Sequence, residues 1–265
     1  MMTEAVTFTA WELMAVELAR DLRDGEVGRV GAACQVPLAA CLLAQRLHAP
    51  SLTVILPNGY VNPKPLALYS STLDHRYAEG SEAMLDFFDI FIEAEQGSID
   101  FFFYSGLQID KHGNVNSTRI GSSSGHLTRG PGLPQVSFAS TLPKVYLFSM
   151  KHERRCFVDR VDYVSAPGFD HFTKSRTRRY PAAGGPRLCV TPLATFTFHD
   201  GLMTLRSTTP GVTVAAIQER TAFPVTRREP VSDAQPPSTA ELDALRSIDT
   251  TGLLREGQPL ISARL

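Results

Sequence analysis

Apolar residues recur at helical spacing early in the chain and give way to short, continuous apolar runs further on. Trp11, Met14, Ala15, Leu18 and Leu22 fall on one face of a helix opened by the capping box Thr9-Ala10-Trp11-Glu12, with Gly25 as its stop. Glu26 to Gly31 reads as a short strand. Pro37 suits a first helical turn, and Leu38 to Leu47 continues as a mostly apolar helix. Leu52-Thr53-Val54-Ile55-Leu56 is an unbroken apolar run of β-branched character, as in strands buried on both faces, and it stops at Pro57-Asn58-Gly59. A second set repeats the alternation. Glu82 to Glu95 places Met84, Leu85, Phe88, Phe91 and Ile92 on one helical face before Gly97. Ile99 to Tyr104 is a buried strand ending at Ser105-Gly106, Val145 to Phe148 is another, and Val161 to Val164 runs into Ser165-Ala166-Pro167-Gly168.

The remainder is more mixed. Lys174 to Arg187 is basic and rich in Gly and Pro, and predicts a loop or insertion. Leu188 to Val190 and Phe196 to Phe198 predict strands, and Thr213 to Thr221 a helix. Glu229 to Pro237 has linker composition, and Ser238-Thr239-Ala240-Glu241 caps a helix through Ser247. Strands alternating with helices predict an α/β fold, an open and mainly parallel sheet with helices on both faces. The expected division is one domain over residues 1–228 and a linker with a helical appendage over 229–265. In such sheets ligands bind beyond the carboxyl ends of strands, which directs attention to the segments after Leu56, Tyr104 and Val164.

Composition narrows the function. The 265 residues carry 26 Lys+Arg against 27 Asp+Glu, and 43% are hydrophobic. A near-neutral chain lacks the basic excess of a general nucleic-acid binder, and no apolar run approaches the roughly 20 residues that span a bilayer. The N-terminus shows no signal-peptide pattern. The four cysteines form no CxxC pair and no Cys/His ligand set, so Cys34, Cys41, Cys156 and Cys189 read as small apolar side chains in a reducing, cytoplasmic compartment. Cys34, behind a Gly-containing strand, leaves a nucleophilic thiol as the alternative. No metal-ligand constellation, phosphate-cradling Gly-rich loop or Ser-His-Asp arrangement is visible.

The stretch Gly106 to Gly121 reads Gly-Leu-Gln-Ile-Asp-Lys-His-Gly-Asn-Val-Asn-Ser-Thr-Arg-Ile-Gly. It resembles the Gly-Ala-x-Gln-(Ile/Val)-(Asp/Ser)-x-(Tyr/His)-Gly-(Asn/Asp) segment of family I CoA-transferases, most closely the B-type chains that act on glutaconate. Lys151 to Phe157 and Val161 to Gly168 are similar to segments of the same order in those chains, and the likeness spans roughly residues 9–200. The resemblance implies a heteromeric enzyme, α2β2 or larger, in which this chain pairs with an A-type subunit. The substrate would be an acyl-CoA, with coenzyme A part of the substrate and no cofactor permanently bound. Family B-type chains carry a nucleophilic glutamate in a turn at a strand end, which attacks the thioester and forms an acyl-glutamyl anhydride.

Here the matching turn is Leu56-Pro57-Asn58-Gly59. Asn58 and Gly59 fit, but Pro57 stands at the glutamate position, and no carboxylate lies between Leu47 and Leu73. Proline has no nucleophile and no N–H. The expectation is therefore chemistry other than transfer: hydrolytic cleavage or decarboxylation of an acyl-CoA. The alternatives are CoA transfer with the carboxylate supplied by the partner, and a catalytically silent scaffold subunit. The resemblance makes Asn58 and Gly59 candidates for an oxyanion hole, against a plain strand-end turn. It implies that the Gly106 backbone lines the thioester site and that the Gln108 amide holds the adjoining loop, with Ser105 in place of a common glycine. Asn114 and Asn116, with Gly113 and Ser117, form a tight polar turn that suits either structure or substrate binding. His112 and His126 are candidate general bases, against packing or hydrogen bonding for His112 and simple exposure for His126 in the polar loop Ser122–His126. Lys151, Arg154 and Arg155, and Arg176, Arg178, Arg179 and Arg187, are basic groups open to CoA phosphates or to simple exposure.

Overall fold

The computed structural model describes residues 5–121, 125–133, 135–171, 184–256 and 259–264. Two compact units emerge, one built from the chain up to Phe103 together with Gln235 onward, the other from Tyr104 to Ala234. This division differs from the one composition suggests, because the C-terminal segment rejoins the N-terminal unit. Local polarity carries no record of such a long-range return.

In the first unit the strands lie in the order Phe101–Tyr104, Val27–Arg29, Thr53–Ile55, Tyr60–Val61, Ala83–Met84. The first three are parallel and the last two antiparallel. The helix Ala10–Ala19 has its capping box, with Thr9 and Glu12 each accepting from the other's backbone N–H. It stops at Ala19, six residues before Gly25, whose positive φ serves a later turn. Helix Gln35–Leu47 takes Pro37 in its first turn, where its missing N–H costs nothing. Helix Thr239–Ile248 opens on the second capping box, Ser238 with Glu241, and packs against Gln35–Leu47. Arg20 makes a two-point bond to Glu241 at 2.8 Å, and Arg246 reaches the buried Glu12 at 2.9 Å. Strand Ala5–Thr9 pairs antiparallel with Leu260–Arg264.

The helix expected from Glu82 begins only at Phe87, capped by Asp86, and runs to Gln96. Ala83 and Met84 instead form an edge strand on Tyr60–Val61. The helix turns Ile90 and Ala94 inward, whereas Phe88 and Ile92, on the apolar face the pattern predicts, are 74% and 51% exposed.

In the second unit the order is Lys144–Phe148, Pro186–Val190, Ala194–His199, Leu202–Thr208, Thr226–Asp233. The outer pairs are parallel and the inner ones antiparallel. The segment with linker composition is thus largely an edge strand. Its pairing jumps register between Leu205 and Ser207, and Pro230 lies in the unpaired stretch, where a residue without an N–H is tolerated. A second small sheet holds Phe157–Val158, Gln108–Asp110 and Val115–Asn116. The expected strand Val161–Val164 is bent chain, with pairing only at Ala166 opposite Val115. The α/β expectation holds, and antiparallel hairpins accompany the parallel strands. Among the described residues no helix is long and apolar enough to cross a membrane.

Candidate active site

In the first unit, Leu56 to Tyr60 closes a hairpin between Thr53–Ile55 and Tyr60–Val61. Gly59 N–H donates to Leu56 O at 3.0 Å and Leu56 N–H to Tyr60 O at 2.9 Å. Asn58 is not among the residues with positive φ, whereas Gly59 has φ +89°. That is a type I turn with proline at its second position, followed by a left-handed glycine, a common three-residue hairpin tip. Gly59 is needed twice over: a Cβ there would also sit 2.0 Å from Leu85 O. Proline is among the best residues for its own position, so the turn is well made without the carboxylate.

Asn58 donates weakly from Nδ2 to Leu73 O at 3.4 Å, and its Oδ1 is buried with no hydrogen-bond partner. An oxyanion hole needs a donor, and the side chain directs its idle atom as an acceptor. The next carboxylate along the chain, Asp74, is held by Arg76 at 2.8 and 2.9 Å. Beneath the tip lies a residue that sequence reasoning passed over. Arg29, the last residue of strand Val27–Arg29 and fully buried, donates from Nη2 to Pro57 O at 3.3 Å. The available signal is a charge inside the apolar run Val27 to Val30.

In the second unit the two segments of the Gly106–Gly121 and Val161–Gly168 patterns meet. Asn114, buried, donates from Nδ2 to Asp110 (2.9 and 3.2 Å) and to Asp170 (2.9 Å), and accepts from Gly168 N–H at 2.6 Å. Asn116 donates to Gln108 Oε1 at 2.8 Å and to Arg119 O at 2.6 Å. Gln108 Oε1 also accepts from Asp162 N–H, and Ser165 Oγ from Ser117 N–H. Asp110 is buried and accepts from the backbone of His112, Asn114 and Val161, and burial pushes its carboxyl above the ordinary range despite those bonds. A Cβ on Gly106 would lie 2.6 Å from Asn116 O, so the glycine is a condition of packing the turn. Ser105 is half-buried at the strand end. Gln108, Asn114 and Asn116 are thus brought together and bonded to their own chain. Pro57, Asn58 and Gly59 belong to the other unit.

The remaining candidates are placed as follows. Cys34 is buried and its thiol donates to Ala32 O at 3.3 Å. Burial pushes it up to about 12, which removes the thiolate a nucleophile needs. Cys41 and Cys189 are raised by burial as well, and all four cysteines are free thiols. His112 Nδ1 lies 3.1 Å from Gly201 O, and His126 is exposed. Arg155 pairs with Glu153 at 2.6 Å, and Arg154 reaches the backbone carbonyls of Glu219 and Thr221. Arg187 is exposed on its strand, while Arg176, Arg178, Arg179 and Ser122 to Ser124 lie outside the described residues. Among the described residues no group of three or more His, Cys, Asp or Glu is placed to hold a metal ion.

The family model described as coenzyme A transferase matches residues 11–220, most of the chain and both units. The chain belongs to the coenzyme A transferase family. Among its relatives, the B-type chain of 3-oxoadipate CoA-transferase from Pseudomonas knackmussii is 29% identical over 250 residues, covering 93% of this chain and 95% of that one. The B-type chain of glutaconate CoA-transferase from Acidaminococcus fermentans is 30% identical over 205 residues, covering 75% and 76%. The crystal structure of the decarboxylase AibA/AibB superposes with a TM-score of 0.81 at 26% identity, covering 93% of this chain and 97% of that one. The same coenzyme A transferase fold therefore appears in proteins named for transfer and in one named for decarboxylation.

Proposed function

We propose that this chain is the B-type subunit of a heteromeric enzyme acting on acyl-CoA, and that its reaction is hydrolytic cleavage or decarboxylation rather than CoA transfer. The observation that carries this is Pro57 at the second position of a well-formed hairpin turn, where the family pattern calls for a nucleophilic glutamate. A covalent acyl-glutamyl route needs a carboxylate at that tip, and none lies between Leu47 and Leu73. The AibA/AibB likeness supports the reading, since that protein is a decarboxylase built of two chains. The partner is an A-type subunit in an α2β2 or larger assembly. Four free cysteines, three of them buried, favour the cytoplasm. In the first unit the proposed acyl-facing positions are Asn58 and Gly59, through the backbone of their turn, and in the second unit the proposed position is Gly106. Gln108, Asn114 and Asn116, with Ser105 beside them, shape the loop that carries Gly106.

The two transferase relatives favour a second reading, transfer with the carboxylate supplied by the partner. Co-purification with the A-type subunit and incubation with acyl-CoAs separates the two. Release of free CoA or carbon dioxide, with no borohydride-trappable adduct on this chain, supports cleavage or decarboxylation. Exchange of label between free acid and acyl-CoA would overturn it. Turnover intact in both Asn58→Ala and Gly106→Val would favour a silent scaffold. Pro57→Glu is expected to yield no transfer activity above the wild-type background. It also gives up the proline's restriction of the unfolded chain, a loss of about 1 kcal/mol visible as a lower urea midpoint.

A further inference from the structure

We propose that Arg29 is a positioning residue for the acyl-CoA reaction, holding the Pro57-Asn58-Gly59 tip in its working place and keeping a fixed positive charge behind it. This rests on the functional reading above.

Arg29 ends the strand Val27–Arg29, flanked by Thr53–Ile55 on one side and Phe101–Tyr104 on the other. Its Cα is paired with Ile55, and its side chain extends past that partner to the Pro57 carbonyl at 3.3 Å. The guanidinium carbon lies 6.0 Å from the ring centre of Phe87 and 5.8 Å from that of Phe91, two residues one turn apart on helix Phe87–Gln96. The contacts of the guanidinium thus include two aromatic rings and a turn carbonyl, and it is fully buried.

Burying a guanidinium costs several kcal/mol relative to a well-packed apolar side chain. A leucine or methionine would fill a strand position more cheaply, so packing alone does not account for the charge. Among what the charge adds is a donor on the carbonyl of the residue that precedes Asn58, at the carboxyl end of a parallel strand where α/β proteins bind ligands. Thioester cleavage builds negative charge on the acyl oxygen. Loss of carbon dioxide builds it on the enolate left behind. A cation already in place, with no solvent to reorganise, favours either one. Arg29 itself touches neither, being behind the turn, and acts through the turn's position and its field.

The test uses the heteromer with its A-type subunit and compares Arg29→Met with Arg29→Lys. Arg29→Met is expected to lower kcat by about 30-fold while KM for the acyl-CoA shifts no more than about threefold, less than the loss of a direct oxyanion donor. Arg29→Lys, which keeps the charge and loses the fork, is expected to recover about a third of the loss on a logarithmic scale. Amide hydrogen exchange of residues 56–60 is expected to quicken in Arg29→Met while that of Val27 to Arg29 stays slow, a readout independent of turnover. Unchanged kcat together with unchanged exchange at the tip overturns the proposal. So does a uniform loss of protection throughout the first unit with no recovery in Arg29→Lys, which marks a purely structural residue. The ratio of variant to wild type is read on whichever reaction the wild-type heteromer performs. Label exchange in the wild type therefore sinks the functional reading without deciding the role of Arg29.

Discussion

Asn114→Ala is expected to lose about 4 kcal/mol of folding stability, read as a lower urea midpoint at constant slope. The amide has one acceptor and two donor hydrogens, and all are in use. Nδ2 bridges two carboxylates, Asp110 and Asp170, and Oδ1 takes the N–H of Gly168. Alanine leaves that N–H without its acceptor and removes the dipole that lets two negative groups approach one point. Hydrogen bonds to charged groups are worth roughly 1.5–3 kcal/mol each, and an orphaned buried group adds about 1–3 more. Some of this is recovered because Asp110 keeps its bonds from three backbone N–H groups and takes up a proton more readily. A loss below about 1 kcal/mol would show that the network is not what holds the Gly113–Ser117 turn against Ser165–Gly168. If the folded fraction of the variant keeps its KM for acyl-CoA, Asn114 shapes the loop and does not touch substrate.

Acid is expected to weaken the second unit well before its carboxylates are all protonated. His152 is buried, stacked on Phe157 with ring centres 4.1 Å apart, and set between two hydroxyls: Nδ1 lies 2.9 Å from Thr191 Oγ1 and Nε2 3.0 Å from Thr221 Oγ1. Those hydroxyls lie 3.0 Å from Ala194 O and 2.8 Å from Ile217 O. A neutral ring donates from one nitrogen and accepts at the other, so one threonine must give its proton to the ring and not to its carbonyl. Burial pushes the ring down from 6.5 to about 4, with the charge of Arg220 adding to the effect. The unfolded chain takes up a proton near 6.5 and the folded one only near 4. Between those values the unfolded state binds more protons, and stability falls as pH falls. The full loss is about 3 kcal/mol, most of it present by pH 4.5. Asp110, raised by burial, works in the opposite direction as its carboxyl protonates. Urea midpoints at pH 7 and pH 4.5 measure the loss. His152→Phe keeps the stack and frees both hydroxyls for their carbonyls, and is expected to flatten the profile. An equal slope in wild type and variant would remove His152 as the cause.

Much of the local structure was written in short patterns. Both capping boxes are where Ser or Thr precedes Glu by three residues, and the Leu52–Leu56 run is a buried strand. These signals are confined to a few adjacent residues, and the backbone obeys them. The failures have one physical cause. Phe88 and Ile92 share an apolar helical face in the sequence pattern, yet burial depends on which neighbour arrives, and Ile90 and Ala94 are the positions that meet the core. Thr226–Asp233 is polar and contains Pro230, which suits an edge strand as well as it suits a linker. The candidate site divides in the same way. Pro57-Asn58-Gly59 was legible as a turn, and its type follows from residue preferences. That Asn58 Oδ1 would be left without a partner, that Arg29 would lie behind the tip, and that Gln108, Asn114 and Asn116 would bond to one another and to Asp110 are facts of distant pairing.

The pairing of Ala5–Thr9 with Leu260–Arg264 sets an order of assembly on the ribosome. The stretch from Tyr104 to Ala234, which forms the second unit, is already complete in sequence before that partner strand emerges. The half that begins first must wait for the last helix and strand, its Gln35–Leu47 helix meanwhile uncovered where Thr239–Ile248 will lie. A nascent chain halted near residue 234 is expected to leave the first unit sticky and half-clothed, which is where a chaperone would find its grip.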